Sequence, residues 1–138
     1  MRRLLLGAAL LISAPAAAMD LHSFRSPSDN IHCLFITDDE ARSSVECELR
    51  SRANVRPALL RPADCDLEWG SRFALDAKGN AGMVCHGDTL IDPSADVVGY
   101  GKQLSAGGIA CQSAETGMTC TNNRGHGFSL SRAKQKLF

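Results

Sequence analysis

The sequence is poor in aromatic side chains, with one Trp, one Tyr and five Phe among 138 residues, so any core it builds lacks the largest apolar groups and gains from cross-links. It carries no net charge, because 15 basic and 15 acidic side chains balance. Without a basic excess there is no general electrostatic case for nucleic acid, and no nucleic-acid partner is expected. No apolar run approaches the roughly 20 residues that span a bilayer as a helix. The cysteines form no C-x2-C pairs of the kind that hold zinc, and no metal or cofactor is expected. Also missing are a G-x-S-x-G elbow, an H-E-x-x-H helix and a G-x-x-x-x-G-K-[ST] loop. These absences exclude the commonest sequence-readable catalytic classes.

What is present begins with a leader. Met1-Arg2-Arg3 is basic, Leu4 to Ile12 is apolar, and Ala14-Pro15-Ala16-Ala17-Ala18 offers small residues to a peptidase. That layout predicts a signal peptide over 1–18, cut after Ala18, followed by a single domain over 19–138. No cysteine lies near the cut, which disfavours a lipid anchor, and the arginine pair lacks further twin-arginine context, which favours general secretion. The predicted destination is periplasmic or secreted, with no transmembrane segment left after cleavage. Loss of Arg2 and Arg3 leaves the remainder slightly acidic.

All six cysteines fall in the domain, at 33, 47, 65, 85, 111 and 120. An even count in an oxidising destination predicts three disulfides. A hairpin centred near Glu40 sets Cys33 opposite Cys47, Ile31 opposite Leu49 and Phe35 opposite Val45, which makes one face wholly apolar. Similarly, a turn at Ala114-Glu115-Thr116-Gly117 sets Cys111 opposite Cys120, with Ser113 near Met118. Cys65 and Cys85 remain and are paired with each other.

Strand character is read at 31–36, 45–50, 72–75, 82–85, 109–113, 118–121 and 127–131, with Gly, Pro, Asn and Asp turn signals between. No segment keeps a helical period for three turns; the best helical candidate is the short tail Ser131 to Leu137. The expected fold is all-β, a small antiparallel sandwich or partly open barrel with three disulfides. Residues Arg50 to Pro62 carry Arg50, Arg52, Arg56 and Arg61, and read as a solvated excursion neutralised by Glu46, Glu48, Asp64, Asp66 and Glu68. The competing reading is a patch for an anionic ligand, since the guanidinium fork matches carboxylate and phosphate.

Two longer segments carry a resemblance: Phe24-Arg25-Ser26-Pro27-Ser28-Asp29-Asn30-Ile31-His32-Cys33 and Thr119-Cys120-Thr121-Asn122-Asn123-Arg124-Gly125-His126-Gly127-Phe128-Ser129-Leu130-Ser131-Arg132. With Cys47, Cys85-x-x-Asp88-Thr89, Tyr100-Gly101 and Gly108-x-x-Cys111, the chain resembles a family of exported bacterial domains of unknown function. Asp29 stands where such sequences often have glycine, and Asp tolerates the left-handed turn. The resemblance implies a recurring exported domain and brings no activity with it.

The most suggestive polar cluster is Asn122, Asn123, Arg124 and His126, with His126 framed by Gly125 and Gly127. Asn122, Arg124 and His126 are therefore the candidate binding residues, because flanking glycines let backbone approach a ligand and histidine titrates near neutrality. The bland alternative is a tight turn into the Phe128 strand. His126 with Asp88 is the candidate catalytic pair of a small secreted hydrolase, and His86 could join them. His22 and His32 read as surface residues, and Asp38-Asp39-Glu40 as a solvated hairpin tip. The leading expectation is a non-enzymatic binding or interaction module for an envelope or extracellular partner, with the hydrolase and a structural envelope protein as alternatives.

Overall fold

The computed structural model describes residues 10–16 and 18–138. The predicted signal peptide, 1–18, lies mostly outside the described residues. Eleven strands follow: β1 Asp20–Arg25, β2 Ile31–Thr37, β3 Ser43–Leu49, β4 Arg72–Asp76, β5 Gly82–Met83, β6 Asp96–Val97, β7 Gln103–Ala106, β8 Ile109–Ala114, β9 Gly117–Asn122, β10 Gly127–Leu130 and β11 Gln135–Leu137. They form two sheets, ordered β5-β4-β3-β2-β1-β6 and β11-β10-β9-β8-β7. All pairings are antiparallel except β1 with β6. The sheets do not close into a barrel, and no helix occurs among the described residues.

The register of the first hairpin follows from its alternation. Ile31 pairs with Leu49, Cys33 with Cys47 and Phe35 with Val45, and all six side chains are buried. A slip of one residue would send this apolar set outward. In the second sheet Cys111 pairs with Cys120 and Ser113 with Met118. The three disulfides are Cys33–Cys47, Cys65–Cys85 and Cys111–Cys120, and each agrees with the pairing read from the sequence.

Between the sheets, the Phe73 and Phe128 rings meet at 6.0 Å and Phe24 stacks on Phe35 at 5.1 Å. Leu75, Ile109, Met118 and Leu130 complete the centre. Burying each such side chain is worth about 1.5–3 kcal/mol. Only four large rings serve this core. The two hairpin disulfides fill the space between them.

Several features differ from expectation. The tail is not helical: β11 pairs with β10, Gln135 opposite Leu130 and Leu137 opposite Phe128. The Ser131 N–H donates to Lys134 O at 2.8 Å and the Lys134 N–H to Ser131 Oγ at 3.1 Å, closing a tight turn that returns the chain to the sheet. Strands β1, β6 and β7 also carry no strong apolar signal, since each offers the core at most one large side chain. The expected strand 82–85 contracts to Gly82–Met83, where the disulfide at Cys85 and the Glu68–His86 bridge take over. Finally, His32 is fully buried and not a surface residue.

Candidate functional site

The outer face of the six-stranded sheet carries His32, Glu48 and Arg72, polar residues that alternate with core residues on β2, β3 and β4 and are nevertheless buried. Buried polar groups need partners, and here segment 86–98 supplies them. Arg72 Nη1 donates to Asp88 Oδ1 at 2.8 Å, and Arg72 Nη2 donates to Asp88 O and Glu48 Oε2, each at 3.0 Å. Glu48 also accepts from the Thr89 hydroxyl at 3.0 Å and the Leu90 N–H at 2.6 Å. Burial pushes the Glu48 carboxyl up, but the Leu90 N–H, Arg72 and Thr89 outweigh it and leave the group below its ordinary value. Asp88 is also lowered, chiefly by its hydrogen bond from Arg72.

Two histidines pin the same segment. The Asp92 N–H donates to His32 Nδ1 at 3.2 Å, which leaves the proton of a neutral ring on Nε2, donating to Asp29 Oδ1 at 2.9 Å. His86 has the opposite tautomer. Its Nδ1 lies 2.7 Å from Asp88 O, a carbonyl that can only accept, so Nδ1 carries the proton and Nε2 accepts from Ser71 Oγ at 3.1 Å. Ser71 and His86 face a cleft of about 440 Å³ that also includes Arg52, Trp69 and Ile91.

The sequence-predicted residues divide between two places. Asn122 is buried, and both ends of its amide are used within the fold: Nδ2 donates to Asp76 O at 3.0 Å and Gly79 O at 2.9 Å, while Oδ1 accepts from the Arg124 and His126 N–H groups at 3.0 and 3.1 Å. Asn122 thereby ties the β9–β10 turn to the β4–β5 turn of the other sheet. Arg124 is exposed and His126 half-buried on that turn. Asp88 is held by Arg72, at the opposite end of β4 from Asp76. The fold therefore groups His126 with Asn122 and Arg124 but does not bring it to Asp88, so the catalytic pair read from sequence is not assembled.

The arginine excursion also differs from expectation in its partners. Glu46 and Glu48 turn to Arg72, at 3.6 and 3.0 Å, while Arg50 pairs with Asp29 at 3.1 Å. No ion pair forms at Arg52, Arg56 or Arg61 among the described residues. Arg61 instead donates to Cys65 O and Leu67 O, at 3.1 and 2.8 Å, bracing the loop.

A second cleft, of about 460 Å³, opens at one end of the sandwich between the β1–β2 turn, the end of β3, the β8–β9 turn and the start of the β10–β11 turn. Asp29, Asn30, Arg50, Glu115, Ser131 and Arg132 line it. Asn30 fixes one wall, donating to Ser51 O at 3.1 Å and accepting from the Ser51 N–H at 2.9 Å. Asp29 sits in the left-handed region at φ 62°. Arg50 grips it by Nε to the carbonyl oxygen and by Nη2 to Oδ2. Arg132 and Glu115 form no ion pair among the described residues. The cleft thus presents charge of both signs.

Its walls come from both ends of the domain, Ser28 to Ile31 from the first motif and Ser131-Arg132 from the second. A family model described as a family of unknown function, DUF6636, matches residues 4–138. The chain belongs to this family. No curated protein and no solved structure matches this DUF6636 chain. No group of three or more His, Cys, Asp or Glu side chains suited to a metal occurs among the described residues, and no helix among them is long and apolar enough to cross a membrane.

Sequence reasoning did not find this cleft, because its residues are far apart along the chain. Ser71 was also missed. It has no motif around it, and only the fold sets it beside His86.

Proposed function

We propose that this chain is an exported binding or interaction module whose recognition surface is the cleft between the β1–β2 turn and the Ser131-Arg132 segment. The observation that carries the reading is the convergence there of the two segments through which the sequence resembles its family, Ser28 to Ile31 and Ser131-Arg132. In a sandwich the loops at one end are positioned by the rigid sheets behind them, which suits them to recognition. Export is supported by the leader-like start and by three disulfides in a small domain, which suit an oxidising compartment.

The chemistry of the walls narrows the partner. Arg132 offers a guanidinium to a carboxylate or phosphate, and Glu115 accepts from an amine. A polar partner bearing both signs, such as a peptide or a peptide-bearing cell-wall polymer, fits these groups. Recognition of this kind asks for no catalysis.

The oxidised domain, incubated with peptidoglycan, surface glycans and envelope proteins in turn, is expected to bind one of them saturably. Arg132→Glu should abolish that binding without changing the thermal midpoint. Absence of saturable binding to every member of the panel would sink the reading.

A further inference from the structure

We propose that Ser71 is a nucleophile activated by His86, giving the domain an acyl-transfer activity toward small esters in the cleft between the start of β4 and segment 86–91. This goes beyond the binding reading and adds catalysis to it at an adjoining cleft. The geometry has the parts that such chemistry needs: a nucleophile bonded to a base, the base held by an orienting group, and a nearby donor for developing negative charge.

Ser71 Oγ lies 3.1 Å from His86 Nε2, and the Asp88 carbonyl, 2.7 Å from Nδ1, fixes the tautomer in which Nε2 is free to take a proton. Asp88 therefore serves through its main chain, while its carboxylate belongs to Arg72. Both partners are anchored through their main chains. His86 is bridged to Glu68 by two backbone bonds, of 2.9 and 3.1 Å, and follows the disulfide-linked Cys85. Ser71 O accepts from the Leu49 N–H at 2.9 Å.

The cation is Arg52. A Cβ on Gly70 would lie 2.7 Å from Arg52 Nη2, so the guanidinium packs directly on the residue before the nucleophile. Gly70 also has φ +112°, a conformation that disfavours any other residue there. The guanidinium is steadied by donation from Nη1 to Asn54 O at 3.3 Å. It lies against Gly70 and lines the same cleft as Ser71 and His86, so the cleft holds a cation that suits developing negative charge.

In the reaction, Ser71 Oγ bonds to the ester carbonyl carbon as its proton passes to His86 Nε2. The imidazolium then returns that proton to the leaving alkoxide oxygen as the C–O bond breaks. A water molecule gives a proton to His86 and its hydroxide adds to the acyl-Ser71. Collapse breaks the acyl C–O bond as His86 returns the proton to Ser71 Oγ, releasing the carboxylic acid, so ester and water become acid and alcohol. Arg52 favours esters that carry an anionic group.

The test uses a fluorophosphonate probe and p-nitrophenyl acetate with the oxidised full domain, its three disulfides mapped first. One phosphonyl group is expected on Ser71, with ester turnover; Ser71→Ala should abolish both, and His86→Gln should slow labelling by at least about 100-fold. No label on Ser71 of the folded wild type, a label elsewhere, or an equal rate in His86→Gln would overturn the proposal and leave the pair as a structural tie. Because the wild type alone can refute it, poor folding of a variant does not protect the idea.

Discussion

Cys47 Sγ lies 3.9 Å from Cys120 Sγ, so the Cys33–Cys47 and Cys111–Cys120 disulfides face one another between the sheets. Each staples its own hairpin, and together they form the middle of a core that has few aromatics to fill it. The third bridge, Cys65–Cys85, instead joins the long excursion to the segment after β5.

Energetic coupling should follow this placement. Replacing either core bridge by a pair of alanines should cost about 2–4 kcal/mol, and removing both should depart from additivity by about 0.5 kcal/mol or more because they share a contact. Removing Cys65–Cys85 together with one core bridge should be additive. Urea unfolding of these variants, and of one lacking Cys65–Cys85 alone, measures this; equal coupling for the two pairs would contradict the packing.

Glu48 makes the fold acid-sensitive. Its carboxyl is held below the ordinary value in the folded state, so its stabilising contribution is present above about pH 4.5 and is lost as pH falls through the lowered folded value. Glu48→Gln should be less stable than wild type at pH 7, and the two should converge as pH drops toward 3. A constant difference across that range, measured by urea midpoints, would exclude the linkage.

Arg72 is nearly enclosed, with only 4% of its side chain exposed. Arg72→Met should cost about 3–5 kcal/mol by leaving Glu48 buried without its cation, whereas Arg72→Met combined with Glu48→Leu should recover part of that loss. Hydrogen exchange should locate the damage in residues 88–92, whose contacts to the sheet run through Arg72, Glu48 and His32.

Asn122 discriminates a turn-former from a ligand contact. Asn122→Ala removes acceptors from two N–H groups and a donor from two carbonyls, and should cost about 1–3 kcal/mol. It should also accelerate amide exchange at Arg124 and His126. Unchanged stability and protection would mean that the side chain is not the organiser of that turn.

The legible part of this fold is the part whose residues alternate. Ile31, Cys33 and Phe35 against Val45, Cys47 and Leu49 leave one register open, and the cysteine pairing follows from it. The same rule failed on the outer face. His32 and Glu48 read as solvent-facing because polar residues in alternate positions usually are, and nothing local announces that segment 86–98 will cover them together with Arg72. The tail misled for a related reason: a three-residue strand shows its period only against its partner, and β10 is that partner. Of the candidate residues, Asn122, Arg124 and His126 are grouped because one turn carries them, while the Asp88 link required a long-range contact that sequence spacing does not encode. Arg132 and Asp29, likewise, meet at one cleft only through the packing of the two sheets.

The most direct measurement is mass spectrometry, under non-reducing conditions, of the protein recovered from the periplasm or medium of an expressing cell. The account predicts a chain beginning at Met19, lighter than its reduced form by the hydrogens of three disulfides, with linked peptides joining Cys33 to Cys47, Cys65 to Cys85 and Cys111 to Cys120. A chain that keeps residues 1–18, stays in the cytoplasm and carries six free thiols would contradict it.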